Sequence, residues 1–398
     1  MITFGLSDEL TMIRKTADDF GREKIRTQNR IAEANQAVST ALADEYRNLG
    51  FDLVDQAEAW DGLGLGLVGR TQIEEAFGHA DAGISLALGT IGAANQVLTE
   101  LGSEQQQLHW AKEFVASGST IAIAWSDSKP SLGQFTTLAS EGKGGEWTLN
   151  GRKSFVLNGN SADYFIVFAK TETKEGSLST AAFIVDSKAE GIKVSTPAAT
   201  LGLEAAPMIE LTIEDVQVSS DRRLENSSDE QGIIRALCRL GVVGAARVSG
   251  LASAAFEFAQ DFAEQRTAFG KPIAHFQGLA FLIADMATTA EVMRCAVARA
   301  ASAFDQGETE AVRLSAMAIA ECHEGAMFIT NNAVQVLGGS GFIRDYPVEK
   351  WMRDAKAHMA YGIPRQLCDL IVGRLALNDA ELSLSDDAPM PELQAVML

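Results

Sequence analysis

Three stretches of this sequence combine glycine with cationic, amide or aromatic side chains, a composition suited to binding an anionic group. They are residues 150–159, residues 265–273 with the following Phe276 and Gln277, and residues 335–342 with the following segment 346–356. Glycine lets the backbone approach a phosphate closely, and Arg266 and Gln335 beside the glycines offer hydrogen-bond donors. Each stretch alone is also typical of a hairpin, a helix cap or a loop, so their functional meaning depends on how they combine.

Other motifs associated with catalysis, cofactor binding or metal binding are poorly matched in this sequence. Residues 64–69 match the dinucleotide-binding pattern GxGxxG, but polar residues 56–61 precede them where that fingerprint needs a strand. We therefore predict a flexible turn before a helix. The five histidines never pair at i, i+3 or i+4, so no metal site is predicted. The four cysteines form no CxxC pair, as expected for core residues in a reducing cytosol.

The charge balance excludes some classes of protein. With 33 Lys and Arg against 53 Asp and Glu, the 398 residues carry a formal net charge of −20. A general nucleic-acid binder needs the opposite sign, because Lys and Arg displace counterions from phosphates. The sequence shows no apolar run of 18 residues and no secretory signal at its start. We therefore predict a cytoplasmic protein without a membrane span.

The periodicity of apolar residues divides the chain into blocks. Residues 1–118 have helical spacing, residues 119–217 consist of short apolar runs with a period near two, and residues 218–378 return to long Ala-rich helical stretches. Residues 379–398 form an acidic tail with two prolines. Asn150-Gly151 and Asn158-Gly159 separate apolar runs and predict hairpin turns. The predicted fold class is α+β, with an antiparallel β domain between two helical domains.

In this order and on this plan, the three stretches resemble the acyl-CoA dehydrogenase family. These flavoenzymes introduce an α,β double bond into acyl-CoA thioesters. The resemblance covers almost the whole chain, including residues 61–67, which look like the family's loop before a helix. It implies FAD as cofactor, an acyl-CoA substrate, a tetrameric assembly and a role in fatty acid or lipid metabolism.

The resemblance also implies which residues bind the adenosine and pyrophosphate end of an FAD held mainly by a neighbouring subunit. Arg266 matches the family's pyrophosphate arginine, and Phe269 and Gln277 match its nearby cofactor contacts. Gln335, with Gly338 and Gly339, matches the loop against the ADP portion, and Gln366 matches a further cofactor-side glutamine. Arginine offers fixed donors to a diphosphate, so this set is chemically sensible.

The other half of the family's site has departed from the pattern. The family's Thr-Glu-Pro…Gly-Ser-Asp loop reads Ala-Trp-Ser-Asp-Ser-Lys-Pro-Ser-Leu-Gly at 124–133, and Leu157 replaces the threonine that supports flavin N5. Gly362, after Tyr361, stands where the family's usual base is a glutamate. Some members place the base on an earlier helix, but the matching positions here, Cys238 or Leu240, supply no carboxylate. The resemblance thus implies no catalytic residue in this chain.

These losses suggest the base-less subunit of a heteromeric acyl-CoA dehydrogenase, in which a homologous subunit supplies the glutamate and the flavin bed. A second interpretation keeps an enzyme with altered chemistry, using His358 or Asp127 as acid or base. A third is a non-catalytic paralogue with a structural or regulatory binding role. An ordinary homotetramer remains open if the alignment near residue 362 is shifted. Arg239 is the candidate for contact with the anionic CoA substrate.

Overall fold

The structure analysed is a computed structural model that describes residues 6–58, 62–127, 135–172, 178–228 and 230–377. Within these ranges the elements run from helices to a sheet and back to helices, which confirms the predicted α+β architecture. The acidic tail predicted at 379–398 lies outside the described residues.

The first block is built from helices, several of which begin at a side-chain cap. They are α1 (Asp8–Phe20), α2 (Asn29–Asn35), α3 (Thr40–Asn48), α4 (Gly66–Ala80), α5 (Ala82–Leu88), α6 (Thr90–Leu101) and α7 (Glu104–Ser117). Ser7 accepts a backbone N–H at the start of α1, and Asp81 does so for α5. A π-helical turn, Gly21–Ile25, follows α1 directly. Of the GxGxxG residues, only Gly64 and Leu65 precede α4; residues 66–69 form its first turn, so the predicted flexible turn is shorter than expected, and the N–H groups of Leu67 and Val68 donate to the carboxylate of Asp305.

The middle block is a sheet with mixed strand directions. Its strands are β1 (Ile121–Ala124), β2 (Leu138–Glu141), β3 (Trp147–Leu157), β4 (Tyr164–Glu172), β5 (Leu178–Asp186), β6 (Ile192–Val194) and β7 (Met208–Val218). Both β1 and β2 pair in parallel with β4, and the other pairs are antiparallel. The prediction of a purely antiparallel sheet was therefore wrong. Apolar alternation reports which face of a strand is buried and carries no information on direction.

The hairpin turn predicted at Asn150-Gly151 does not form at these residues. These residues lie inside β3, where the register with β7 shifts between Leu149 and Gly151. Gly151 has φ of +156°, and a Cβ there would come 2.6 Å from the Thr137 hydroxyl. The position needs glycine because of this bulge. The turn between β2 and β3 is made instead at Gly142, whose N–H donates to the Glu146 carbonyl at 2.7 Å.

The third block is a bundle of long helices. It comprises α8 (Glu230–Gln265), the small hairpin of β8 (Thr267–Ala268) and β9 (Lys271–Pro272), and then α9 (Gln277–Asp305), α10 (Ala311–Leu337), α11 (Val348–Tyr361) and α12 (Arg365–Ala376). Helix α8 runs through the centre, packed against α4 from the first block and α9, α10 and α11 from its own. The bundle and the first block therefore share one apolar core.

The crossing of α4 and α8 is closer than side chains would allow. A Cβ added to Gly250 would lie 1.9 Å from the Glu75 carbonyl oxygen, and one added to Gly78 would lie 1.9 Å from the Arg247 carbonyl oxygen. Two glycines, one on each helix, thus let the two backbones touch. This contact fixes the position of α8 against the first block.

Helix α8 is long and apolar, and its burial bears on the prediction that the chain has no membrane span. Its 36 residues contain an 18-residue window of mean hydropathy 1.2, so by length and composition alone it is able to cross a membrane. However, 83% of that window is buried inside the protein, among the helices that surround α8. The apolar character of α8 is therefore that of a core helix.

Replacing Gly250 with alanine tests the helix crossing. We expect Gly250→Ala to lower the free energy of unfolding by about 2–3 kcal/mol, because the new methyl group must push α4 and α8 apart. The measurement is urea unfolding followed by circular dichroism. Gly373→Ala in α12 is the matched control, since nothing lies within 4 Å of its added Cβ, and alanine favours a helix. Equal midpoints for wild type and Gly250→Ala would contradict the close crossing.

Candidate active site

A narrow cavity lies where the first helical block, the sheet and α8 meet. Its lining residues come from α5 to α6 (Leu86, Gly89, Thr90, Ala93), from β1 and the next residues (Ile121, Ile123, Trp125), from the end of β3 (Phe155, Leu157, Asn158), from α8 (Leu240, Val243, Arg247) and from α11 (Tyr361). The lining is mostly apolar, and the volume is only about 60 Å³. Small-molecule pockets usually measure roughly 300–1,000 Å³, so this chain's own cavity is small for an acyl group.

The end of β3 is bent into this cavity by irregular backbone. Phe155 and Asn158 have φ of +54° and +55°, in the left-handed region, and the register with β7 shifts between Lys153 and Val156. Asn158 Nδ2 donates to the Leu86 carbonyl at 3.2 Å, which ties the strand end to α5. The bulge thereby brings Phe155 and Leu157 to the cavity wall.

Arg247 is the one charged side chain among the described residues that line the cavity. It is only 4% exposed, and its Nη2 donates to Glu74 Oε2 at 2.6 Å. Its Nε donates to the Ser85 hydroxyl at 3.0 Å, and that hydroxyl donates to the same Glu74 oxygen at 2.9 Å. The buried carboxylate neutralises the guanidinium in this geometry. Sequence reasoning missed Arg247, although a lone arginine in the Ala-rich run 244–248 was a signal.

No carboxylate and no histidine lines the cavity within the described ranges. Gly362 follows the cavity residue Tyr361 at the end of α11 and has φ of −76°, which any residue adopts. A Cβ on Gly362 would meet no atom closer than 3.6 Å, the His358 carbonyl oxygen. The position expected to carry the glutamate therefore has room for a side chain.

His358, one of the two alternative bases, is buried away from the cavity lining. It is 2% exposed, and neither of its ring nitrogens has a hydrogen-bond partner. Burial, reinforced by His323 and Arg247, holds its pKa well below the usual range. The His323 ring lies 5.9 Å away between centroids, and burial lowers the pKa of His323 to about 4. Both imidazoles are therefore neutral in the folded protein.

Asp127, the other alternative base, is bound to a buried lysine. Its Oδ1 lies 2.7 Å from Lys153 Nζ and accepts from the Thr137 hydroxyl at 2.7 Å. Lys153 is fully buried, and burial lowers the pKa of its ammonium to about 8 despite the attraction of Asp127. Removing either partner would strand a buried charge, so the pair has a structural role.

Arg239, the predicted substrate contact, binds other side chains of the first block. Its Nε donates to Gln96 Oε1 at 2.8 Å and its Nη1 to Glu100 Oε1 at 3.2 Å. It does not line the cavity, whereas the next residue, Leu240, does. The placement therefore gives Arg239 a contact with α6 and no contact with the cavity.

The predicted cofactor residues all lie on the surface of the third block, and none lines the cavity. Arg266, Phe269 and Gln277 surround the β8–β9 hairpin. Gln335, Gly338 and Gly339 lie at the end of α10, and Gln366 lies in α12. All seven are exposed. Phe269 is 96% exposed with φ of +53°, and the Arg266 guanidinium has no side-chain partner in the described part of the chain. An unpaired arginine beside an exposed ring suits a ligand held between this surface and another subunit.

The order of helices, sheet and helices, with a cavity where the three meet, defines a known class of protein. Comparison of the sequence with protein-family profiles identifies that class. Residues 7–118, 120–216 and 236–373 match the profiles of the acyl-CoA dehydrogenase N-terminal, middle and C-terminal domains, respectively. The chain belongs to the acyl-CoA dehydrogenase family.

The relatives extend over nearly the full chain. An acyl-CoA dehydrogenase of Bacillus subtilis (strain 168) is 32% identical over 377 residues, which are 94% of this chain and 99% of that protein. The butyryl-CoA dehydrogenase structure from Megasphaera elsdenii has a TM-score of 0.87 at 28% identity, covering 94% of this chain and 100% of the other. The FAD complex of PigA has a TM-score of 0.87 at 23% identity, with coverages of 95% and 100%, and shows the fold alone.

Acidification tests the buried neutral histidines. An unfolded histidine takes up a proton near pH 6.5, whereas folded His323 does so near 4 and folded His358 well below its usual range. The unfolded state thus binds more protons below 6.5, and we expect each histidine to remove about 1.4 kcal/mol of stability per pH unit there.

His358→Phe should reduce the slope of unfolding free energy against pH by the contribution of one histidine. The measurement is urea unfolding between pH 5 and 7. His109→Phe, at an exposed histidine, is the control and should keep the wild-type slope. An unchanged slope in His358→Phe would show that this imidazole is not held neutral.

Proposed function

We propose that this chain is a subunit of an FAD-dependent acyl-CoA dehydrogenase that lacks the usual base and completes the FAD site of a partner subunit. The observation that supports this proposal most directly is the cavity lining, which offers no carboxylate or histidine in the described residues. Gly362 stands at the end of α11 where the family's glutamate is expected. The chain is thus proposed to act within a complex.

The chemistry explains why this absence matters. Removing the α-proton of a thioester requires a base within hydrogen-bond reach of that carbon, while FAD, when bound, accepts the hydride. His358 is buried, Asp127 is paired with Lys153, and neither residue lines the cavity. Leu157, at the cavity wall, offers no hydrogen bond to a flavin.

The surface of the third block suits the opposite role, holding the far end of a partner's FAD. Arg266 would bind the pyrophosphate, and Gln335 with the open backbone at Gly338 and Gly339 would approach the ADP portion. Nothing lies within 4 Å of a Cβ added to either glycine, so the backbone there is accessible. Phe269, Gln277 and Gln366 would add contacts beside them.

Exposed apolar side chains on the same block support association with a homologous subunit. Phe269, Phe281 and Phe342 are 96%, 61% and 74% exposed. Large exposed rings grouped on one block are typical of an interaction surface. The proposed assembly is a cytoplasmic α2β2 tetramer in which the homologous subunit supplies the glutamate, the flavin bed and the acyl-CoA pocket.

A second candidate, a non-catalytic paralogue, is favoured by the small cavity volume of about 60 Å³. It shares the absence of a base but assigns no cofactor contact to the surface of the third block. The interpretation with altered chemistry and a non-standard base has less support, because neither His358 nor Asp127 reaches the cavity. The experiment below separates the proposed subunit from the paralogue.

The test co-expresses this chain with a homologous subunit that carries the Tyr-Glu-Gly segment. We expect the purified complex to hold FAD and oxidise an acyl-CoA, and Arg266→Gln in this chain to weaken FAD binding by about tenfold or more, because a charge-assisted contact with the pyrophosphate is lost. FAD release is measured by flavin fluorescence during dilution.

Arg299→Gln is the matched control, since Arg299 is an exposed arginine that pairs with Glu308 at 2.6 Å. It should leave FAD binding unchanged. If Arg266→Gln left the FAD content and the activity of the complex unchanged, this result would refute the cofactor role of Arg266 and favour the non-catalytic paralogue.

A further inference from the structure

A second and larger cavity lies on the other side of the α4–α8 crossing. It measures about 350 Å³ and shares no lining residue with the candidate active site. Helices α1, α4, α8 and α9 and the π-helical turn after α1 contribute its lining, which is Arg14, Asp18, Arg22, Arg26, Glu75, Ala76, His79, Ala80, Ser253, Glu257 and Arg294. Four arginines in one cavity of an acidic protein require an explanation.

Three of these arginines have carboxylate partners. Arg14 pairs with Asp18 at 3.0 Å, and also with Glu75. Arg294 pairs with the same Glu75 at 2.9 Å. Arg22 pairs with two exposed carboxylates outside the cavity lining. Their positive charges are therefore accounted for within the protein.

Arg26 is different, because no carboxylate in the described residues lies within ion-pair distance of its guanidinium. Its Nη2 donates to the carbonyl of His79 at 2.7 Å and to Nδ1 of the same residue at 3.0 Å. The other ring nitrogen of His79, Nε2, forms a hydrogen bond with Glu257 Oε2 at 2.8 Å. The Arg26 Nε is buried, and no atom of the described residues accepts a hydrogen bond from it. A half-buried cation with an unused donor is unfavourable unless a ligand completes it.

Ser253, on α8, provides a second unused donor in the same cavity. The residue is 4% exposed, and its buried hydroxyl has no hydrogen-bond partner within the ranges that the structure describes. Arg26 and Ser253 belong to different elements and both line the cavity. Two donors without a hydrogen-bond partner among the described residues, one of them on a guanidinium without a direct ion pair, therefore line the same cavity.

The local backbone explains how Arg26 reaches this position. The π-helical turn Gly21–Ile25 widens the chain between α1 and the following turn; Arg22 lies within it, and Arg26 follows it directly. Such turns are frequent at functional sites, because they re-aim side chains that a regular helix would place elsewhere. Gly21 packs closely on α4, where its added Cβ would lie 3.2 Å from Ala80 Cβ.

We propose that this cavity binds a small oxyanion, a carboxylate or phosphate group of a metabolite, through the guanidinium of Arg26 and the hydroxyl of Ser253. Its volume is at the lower end of small-molecule pockets. The anion would satisfy both orphaned donors and neutralise Arg26, linking the α1 region to α8. The site is independent of the proposed subunit role, since its lining lies apart from the candidate active site.

The test is calorimetric titration of the full-length chain, in the oligomer it forms, with sodium phosphate and separately with sodium succinate. Ionic strength is held constant with sodium chloride. We expect saturable binding of at least one anion, and the anion that binds distinguishes a phosphate site from a carboxylate site. Arg26→Gln should weaken binding by about tenfold or more, and Ser253→Ala by about threefold to tenfold.

Arg22→Gln is the matched control, because Arg22 lines the cavity but already has carboxylate partners. It should change the affinity by less than about threefold. If Arg26→Gln misfolds by circular dichroism, Ser253→Ala, which removes a single oxygen, decides the matter. Absence of saturation by either anion up to tens of millimolar, or affinities unchanged in the variants, would overturn the proposal.

Discussion

The close contact between α4 and α8 is the constraint on which the rest of this structure depends. Gly78 and Gly250 let the two backbones touch, and between them the Glu74 and Arg247 side chains form a buried ion pair at 2.6 Å. The contact places one part of α8 beside the sheet and another part beside the cavity that α1 also lines. The narrow cavity with Arg247 and the larger cavity with Ser253 thus lie along the same helix.

Buried ion pairs then fix the other elements around this crossing. Lys350 Nζ of α11 lies 2.6 Å from both Asp81, at the start of α5, and Asp354. Asp354 in turn accepts the backbone N–H of Leu203 from the β domain at 2.8 Å. The three blocks therefore meet through one lysine in the first turn of α11, the helix that ends just before Gly362.

The sequence was informative where local chemistry decides the structure. Helical and strand periodicity predicted the three blocks. The resemblance over residues 346–356 implies that Gly362 replaces the glutamate, and this equivalence stays a prediction. Strand direction and the bulge at Asn150-Gly151 were out of reach, because both depend on pairing between distant segments. The choice between Arg239 and Arg247 depends on which face of α8 meets the sheet, which only the packing determines. The domain boundaries and the roles of the cofactor residues stay predictions.

The measurement that tests the central claim most directly is anaerobic titration of the isolated chain with acyl-CoAs, following the visible absorbance of bound flavin. The chain alone should hold substoichiometric FAD, and no acyl-CoA should bleach the flavin, because no carboxylate or histidine among the described residues lines the cavity. Stoichiometric FAD with rapid bleaching in the isolated chain would contradict the account, and would show that this chain contains a complete active site.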